Sequence, residues 1–128
     1  MNNFIPYGKQ NIDEQDIQAV VNVLRSPYIT QGPLIESFEA AVSQKTQSKY
    51  SVAVNSATSA LHLACLALGL SEGDYLWTSP ITFVASANCA LYCNASVDFV
   101  DIDPSTGLLS ISQLKNKLAK AKVLNKLP

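Results

Sequence analysis

Short strand-like segments alternate with helical patterns along this chain, and this alternation constrains its fold more than any single motif does. The strand-like segments are residues 50–54, 75–78 and 95–102, which are rich in β-branched and aromatic side chains. Helical patterns occupy residues 61–68 and 82–92 between them. Because these connections are too long for hairpins, we expect an α/β fold with a mostly parallel sheet and crossover helices.

Three further helices are predicted outside this alternation. The first has acidic side chains in its first turn, within residues 12–16, and ends at Ser26 and Pro27. A loop over residues 27–33 connects it to the second helix. The last helix is predicted to begin at a cap formed by Ser112. The apolar face of the second helix consists of Leu34, Ile35, Phe38, Ala41 and Val42.

The composition excludes several classes of protein. With 128 residues, 48% of them hydrophobic and 15% charged, the chain is long enough for a packed core and is not disordered. A net charge of −1 gives no support for nucleic-acid binding. Neither a signal peptide nor an apolar run of about 20 residues occurs, so we expect a soluble cytoplasmic protein without a membrane partner.

The lysines and the cysteines are both interpreted structurally. Five lysines crowd the C-terminal stretch; they could form a basic patch, but a matching apolar stripe favours a solvated helix face. Cys65, Cys89 and Cys93 lack zinc-type pairing, and each is interpreted as a small core residue. We therefore predict no metal site.

Residues 55–60, with the sequence Asn-Ser-Ala-Thr-Ser-Ala, join the first strand-like segment to an apolar helix that we expect to be buried on nearly every side. Small residues there would direct several backbone N–H groups and the positive end of the helix dipole at one spot, which suits a phosphate group. The alternative is an ordinary helix N-cap, in which Asn55 or Ser56 satisfies the free N–H groups. Physical reasoning alone leaves both interpretations open.

Three other features have two interpretations each. Phe83, at the start of a predicted helix, could stack on a flat heterocycle or belong to the core. Asp101 and Asp103 share a strand face and could form an acid–base pair or a magnesium site, but an Asp that begins a turn is far more common. His62, the only histidine, is more typical of a packing residue than of a base.

Six segments occur together in the order and spacing of a known family. They are residues 28–33 (YITQGP), 38–39 (FE), 55–61 (NSATSAL), 73–74 (GD), 79–88 (SPITFVASAN) and 100–103 (VDID). In this combination the chain resembles, over nearly all of its length, the N-terminal part of the DegT-type sugar aminotransferases. The resemblance implies part of the large domain of the type I pyridoxal-phosphate aminotransferase fold.

The resemblance also implies roles for individual residues. Pyridoxal 5'-phosphate is the implied cofactor, and Ser56, Ala57 and Thr58 would contact its phosphate through the helix N-terminus. Phe83 would stack on its pyridine ring. The implied contacts with a sugar nucleotide are Tyr7, Pro27, Tyr28, Ile29, Thr30 and Ala57.

Within the family, the chain looks most like the branch that acts in pseudaminic acid biosynthesis. The sequence Asn-Ser-Ala-Thr-Ser-Ala at the phosphate turn, and Phe83 at the stacking position, favour that branch. Such enzymes move an amino group from glutamate to the keto group of a UDP-linked 4-keto-6-deoxy amino sugar, and they are homodimers. The alternatives are another nucleotide-sugar aminotransferase or a dehydratase of the same family.

The family's Schiff-base lysine lies well beyond position 128 in this resemblance, so no catalytic residue is assigned here. The chain is accordingly expected to be truncated, to correspond to about the first third of the enzyme, and to be inactive alone. Residues 1–33 would form an N-terminal helix and substrate loop, and residues 34–128 the start of the cofactor-binding domain. A non-catalytic binding module and a truncated product without a role are the competing hypotheses.

Overall fold

A computed structural model describes residues 6, 8–124 and 126–128, and the chain divides into two compact units, Met1–Ala53 and Val54–Pro128. The described residues form helices together with one small parallel sheet. This arrangement confirms the predicted α/β class. The predicted domain boundary between residues 33 and 34 remains a prediction.

The first unit contains two helices, α1 (Glu14–Leu24) and α2 (Pro33–Thr46), both close to their predicted positions. Asp13 caps α1 by accepting hydrogen bonds from the N–H groups of Gln15 and Asp16, while the Asp16 carboxylate accepts one from the Asp13 N–H. This reciprocal capping box satisfies three backbone donors that no helical carbonyl can reach. Helix α2 begins with Pro33, whose missing N–H costs nothing in the first turn.

Residues 50–54, predicted as a strand, do not form one in the structure. The segment instead binds to side chains of α2. The Ala53 N–H donates to Glu39 Oε1 at 2.7 Å, and the Ser43 hydroxyl donates to Ser51 Oγ at 2.9 Å. A strand requires a backbone ladder, and here a carboxylate takes a donor that a ladder would use.

The second unit contains a parallel pair, β1 (Tyr75–Thr78) and β2 (Ser96–Phe99), with Tyr75 opposite Ser96. Helix α4 (Ala85–Leu91) connects the two strands and packs on both. The strands and the helix confirm the segments predicted at residues 75–78, 82–92 and 95–102, although each element after β1 is shorter than predicted. The crossover connection is also as predicted.

Helix α3 (Ala57–Ala67) also packs against α4, but the expectation that it is buried on nearly every side is wrong. Cys65 is its only buried residue. Leu63 is 49% exposed and Leu66 is 50% exposed. An apolar helix is buried only where neighbouring elements cover it, and within the described residues α4 covers one side.

Helix α5 (Ile111–Val123) is capped by Ser110 rather than by the predicted Ser112. Leu109 makes an antiparallel bridge with Ile102, so the extended chain ends at Leu109 and the cap follows directly. The Ser110 Oγ accepts a hydrogen bond from the Gln113 N–H at 3.3 Å.

One lysine of α5 binds to the sheet. The Lys117 ammonium lies 2.5 Å from the Asp98 carboxylate and donates to the Phe99 carbonyl at 2.6 Å. It also lies 4.9 Å from the centroid of the Trp77 ring. Because Trp77 and Asp98 are register partners, this contact joins α5 to both strands. The predicted solvated face therefore holds for the other lysines of the helix, which are exposed.

The core of the second unit contains the three cysteines, all buried and free, with Leu70 and Leu76 packed against them. This confirms their predicted role as core residues. Burial, together with the neighbouring thiols of Cys89 and Cys93, raises the pKa of Cys65 to about 11. Across the described residues, no helix is both long and apolar enough to span a bilayer.

Candidate functional site

Ser56 forms the N-cap of α3. Its backbone is extended, with φ −162° and ψ 156°, and its Oγ accepts a hydrogen bond from the Ser59 N–H at 3.1 Å. Its carbonyl accepts the Ala60 N–H at 3.0 Å. One of the two interpretations of residues 55–60, the helix cap, is thus present in the structure.

The cap leaves two backbone donors available. Neither the Ala57 N–H nor the Thr58 N–H has an acceptor among the residues that the structure describes. Both belong to the first turn of an 11-residue helix, where the dipole favours a negative charge. The cap and the phosphate interpretation are therefore compatible, because Ser56 occupies the donors of Ser59 and Ala60 and leaves the two before them.

The side chains at this helix end are small and hydrogen-bonded to one another. The Ser59 hydroxyl donates to Asn55 Oδ1 at 2.7 Å, and the Ser56 and Ser59 hydroxyl oxygens are 3.0 Å apart. At Ala57, between them, the side chain is a single methyl group. A phosphate group could approach the free N–H groups without displacing a large side chain, so the residues present fit a phosphorylated cofactor.

Phe83 lies between the carboxyl end of β1 and the start of α4, in the same unit as α3. Its side chain is 73% exposed, so it is not part of the core, which was the alternative interpretation. Its carbonyl accepts the Ser86 N–H at 3.0 Å, which fixes the backbone next to the ring. An exposed ring on a fixed backbone is available to stack on a flat ligand.

The two carboxylates considered as a catalytic pair serve the local backbone instead. Asp103 Oδ1 accepts hydrogen bonds from both the N–H and the hydroxyl of Ser105, at 2.8 and 2.5 Å, and these bonds lower the pKa of Asp103. Asp101 Oδ1 accepts from the Ile102 N–H at 2.8 Å. Asp103 begins a turn, which is the interpretation that the sequence favoured.

His62 contacts an aromatic ring. Its centroid is 5.3 Å from that of Tyr92, with the rings edge to face. This contact joins α3 to the end of α4 and agrees with the predicted role of a packing residue.

The predicted substrate loop lies in the first unit, between α1 and α2. Pro27, Tyr28 and Ile29 line a cavity of 730 Å³, whereas Thr30 does not. The Ser26 hydroxyl donates to the Tyr28 carbonyl at 3.0 Å and so holds the loop. Tyr7, the remaining predicted contact, lies outside the described residues.

Gly32 sets the shape of this loop. A Cβ atom at position 32 would lie 2.9 Å from the Cβ of Tyr28 and 3.3 Å from its carbonyl oxygen. Contacts this short force a displacement, so the close approach of the two backbones requires a glycine.

Sequence reasoning missed two features of the first unit. The cavity is also lined by helix residues, among them Val20 of α1 and Leu34 and Ile35 of α2, of which the last two were assigned only to an apolar helix face. It also missed the contact made by Glu39, a residue of the FE segment that is half-buried on the helix face that carries Ile35 and Val42. An acidic residue at such a position indicates a carboxylate with a specific partner, here the Ala53 N–H.

Comparison with known proteins agrees with the resemblance found in the sequence. The profile of the DegT/DnrJ/EryC1/StrS aminotransferase family matches residues 10–123. A UDP-4-amino-4,6-dideoxy-N-acetyl-beta-L-altrosamine transaminase from Campylobacter jejuni is 42% identical over 91% of this chain and 30% of its own length. The spore coat polysaccharide biosynthesis protein SpsC from Bacillus subtilis is 39% identical over 92% of this chain and 30% of its own length.

Among solved structures, the chain is similar to a putative sugar aminotransferase, Spr1654 from Streptococcus pneumoniae, in its PLP form. The TM-score is 0.81 at 34% identity, over 88% of this chain and 29% of that chain. The chain thus spans about 30% of the length of the curated relatives it matches.

Proposed function

This chain belongs to the DegT/DnrJ/EryC1/StrS aminotransferase family, and from that premise we propose that it contributes to amino transfer onto a nucleotide-linked sugar, with pyridoxal 5'-phosphate as cofactor. One observation in the structure carries the proposal. The N-terminus of α3 presents the N–H groups of Ala57 and Thr58 without acceptors in the described part of the chain. Such a pair suits a phosphate group.

The chain's own residues would bind and orient the cofactor. Ala57 and Thr58 would hold the phosphate through their backbone N–H groups, and Ser56 would keep the first turn of α3 in place. Phe83, exposed and fixed at its backbone, would cover one face of the pyridine ring. When bound, the cofactor supplies an electron sink for the carbon that carries the amino group.

The proposed substrate is a UDP-linked 4-keto-6-deoxy amino sugar of the pseudaminic acid pathway. Two observations support it: the similarity to the Campylobacter transaminase, which is named for a UDP-linked amino sugar, and the cavity of about 730 Å³ lined by Pro27, Tyr28 and Ile29. We propose that these residues, with Thr30 and Tyr7, contact the sugar nucleotide. Glutamate as amino donor, a homodimer and a cytoplasmic location are further predictions, which rest on the resemblance alone.

The test of the phosphate site is Ala57→Pro. Proline is tolerated at the first helical position, and the extended backbone of Ser56 suits a residue that precedes proline. The variant therefore removes one N–H donor and keeps the helix. We expect the affinity of the chain for pyridoxal phosphate, followed by the ¹H–¹⁵N signal of Thr58, to fall roughly tenfold or more, as is typical of a lost hydrogen bond to a charged group.

Ile111→Pro is the matched control. Ile111 is the first residue of α5, it follows the extended backbone of Ser110, and its side chain is exposed. This variant should bind pyridoxal phosphate as tightly as the unsubstituted chain. Equal affinity of both proline variants, with the Thr58 signal unmoved by the cofactor, contradicts the proposed site.

A further inference from the structure

The protons of the hydroxyl groups at the start of α3 can be assigned from the geometry. Ser59 Oγ lies 2.7 Å from Asn55 Oδ1, which can only accept, so the single hydroxyl proton of Ser59 goes to Asn55. Ser59 Oγ also lies 3.0 Å from Ser56 Oγ. Because the Ser59 proton is already used, the hydrogen bond between the two serines takes its proton from Ser56.

This assignment leaves Ser56 without a hydroxyl proton that could bind a ligand. Its Oγ accepts the backbone N–H of Ser59 at 3.1 Å and its proton points to Ser59 Oγ, so one residue satisfies the Ser56 hydroxyl both as acceptor and as donor. The Ser56 hydroxyl thus donates to Ser59, and the Ser59 hydroxyl donates to Asn55. The N–H groups of Ala57 and Thr58, by contrast, stay without acceptors in the described residues.

We propose that Asn55 and Ser59 are positioning residues that turn the hydroxyl proton of Ser56 away from the phosphate, so that Ser56 acts as a cap and the N–H groups of Ala57 and Thr58 hold the anion. This inference rests on the proposed phosphate site. It changes the role of one residue within that site, because the resemblance made Ser56 a direct contact of the cofactor.

The chemical consequence is a site built from backbone donors. A serine hydroxyl rotates and can donate in several directions, whereas a backbone N–H in the first turn of a helix has a fixed direction. Asn55 fixes the direction of these hydrogen bonds, because its side-chain carbonyl oxygen accepts the hydroxyl proton of Ser59. Without the Ser59 hydroxyl, the hydroxyl of Ser56 would lose its acceptor, and its proton would be free to turn to a phosphate oxygen.

A double-mutant cycle between positions 56 and 59 tests the proposal. The probes are inorganic phosphate and pyridoxal phosphate, and the readout is their affinity from the ¹H–¹⁵N signals of Ala57 and Thr58. We expect Ser56→Ala alone to lower the affinity only as far as loss of the cap destabilises the first turn of α3, because the hydroxyl makes no contact with the ligand. We expect Ser59→Ala to raise it several-fold, because the Ser56 proton is released, and Ser56→Ala in the Ser59→Ala background to remove that gain.

The same samples separate unfolding of α3 from a loss of ligand affinity. Ser56 is the N-cap of α3, where replacement by alanine destabilises the helix, whereas Ser59 lies in the first turn, where alanine is a good helix former. Ser56→Gly, which is much less destabilising at a cap than alanine, repeats the first arm in a chain that keeps its helix. Thermal unfolding followed by circular dichroism identifies the variants that remain folded at the temperature of the titration.

The outcomes distinguish this inference from the proposed function. A tenfold loss of affinity in Ser56→Gly overturns the positioning role, since it makes the Ser56 hydroxyl a direct donor. So does a cycle in which the two substitutions do not couple. If the unsubstituted chain shows no shift of the Ala57 and Thr58 signals with either probe, the phosphate site itself is wrong, and this inference falls with it.

Discussion

Gly32 is the position at which adding a methyl group should most clearly destabilise the protein. Its backbone approaches Tyr28 so closely that an added Cβ would lie 2.9 Å from the Tyr28 Cβ, a contact that real Cβ atoms do not make. We expect Gly32→Ala to displace Tyr28 and to lower the free energy of unfolding of the first unit by about 1–3 kcal/mol, as overpacking usually does. Chemical denaturation followed by far-ultraviolet circular dichroism measures the change.

Gly8→Ala is the control for this substitution. A Cβ at position 8 meets nothing within 4 Å, so only the conformational freedom of the chain changes. Its effect should stay below about 1 kcal/mol in either direction. If the two alanine variants unfold at the same denaturant concentration, the close approach at Gly32 does not constrain the loop.

At the scale of elements, Lys117 connects α5 to the sheet, and this connection depends on pH. The hydrogen bond from Lys117, then that from the Phe99 N–H, lowers the pKa of Asp98. A lowered pKa stabilises the folded state above the ordinary value near 3.9, and this stabilisation is lost as the pH falls through the lower folded value. Asp98 is half exposed, so the contribution is below about 1 kcal/mol.

Lys117→Met tests this contact, because methionine keeps an aliphatic stem and loses the ammonium group. We expect the pKa of Asp98, measured by NMR of its carboxyl carbon, to rise toward the ordinary value. The stability should drop slightly at pH 7 and remain unchanged near pH 2. Lys120→Met, which removes an exposed charge from the same helix, serves as the control. An unshifted Asp98 pKa in the Lys117 variant would contradict the assigned contact.

Elements defined by local signals were predictable from the sequence, and elements defined by partners were not. The Asp13–Asp16 capping box and Pro33 each act within one turn, so α1 and α2 occur where expected. Residues 50–54 carry a strand pattern as clear as that of β1. Whether such a segment becomes a strand depends on a partner, and here the Glu39 carboxylate binds it instead.

The same distinction applies to the site. The small residues and the cap signal at residues 55–60 predicted a helix N-terminus with several backbone N–H groups directed at one spot, and the resemblance assigned the phosphate contact to Ala57 and Thr58. The direction of the hydroxyl protons depends on which side chains lie within about 3 Å of one another, and these distances follow from the folded structure rather than from the sequence pattern. Burial of α3 could not be predicted either, since it depends on which elements cover the helix.

At the scale of the whole molecule, the exposed apolar surface predicts how the chain behaves in solution. Four leucines of α3 and its C-terminal turn are exposed within the described residues: Leu61, Leu63, Leu66 and Leu68. Leu63 and Leu66 lie one turn apart on the same face of α3, and neighbouring exposed apolar side chains favour association. We expect the chain to self-associate as its concentration rises, in sedimentation velocity experiments, and Leu63→Gln combined with Leu66→Gln to weaken that association.

Val123→Gln provides the comparison. Val123 is 86% exposed but lies on α5, apart from the leucines of α3, so its replacement should leave the association unchanged. An isolated exposed apolar residue is common in proteins and has no such effect. If the double α3 variant sediments like the unsubstituted chain at every concentration, these leucines do not mediate association.

The register of the two strands also has a consequence for synthesis. Tyr75 pairs with Ser96 and Thr78 with Phe99, and α4 lies between the strands in the chain. On the ribosome, β1 therefore emerges well before its partner and cannot pair until α4 and β2 have followed it out of the exit tunnel. During that interval the apolar side chains of β1 are accessible to chaperones, so the order of translation, rather than the strength of the pair, sets when the sheet can form.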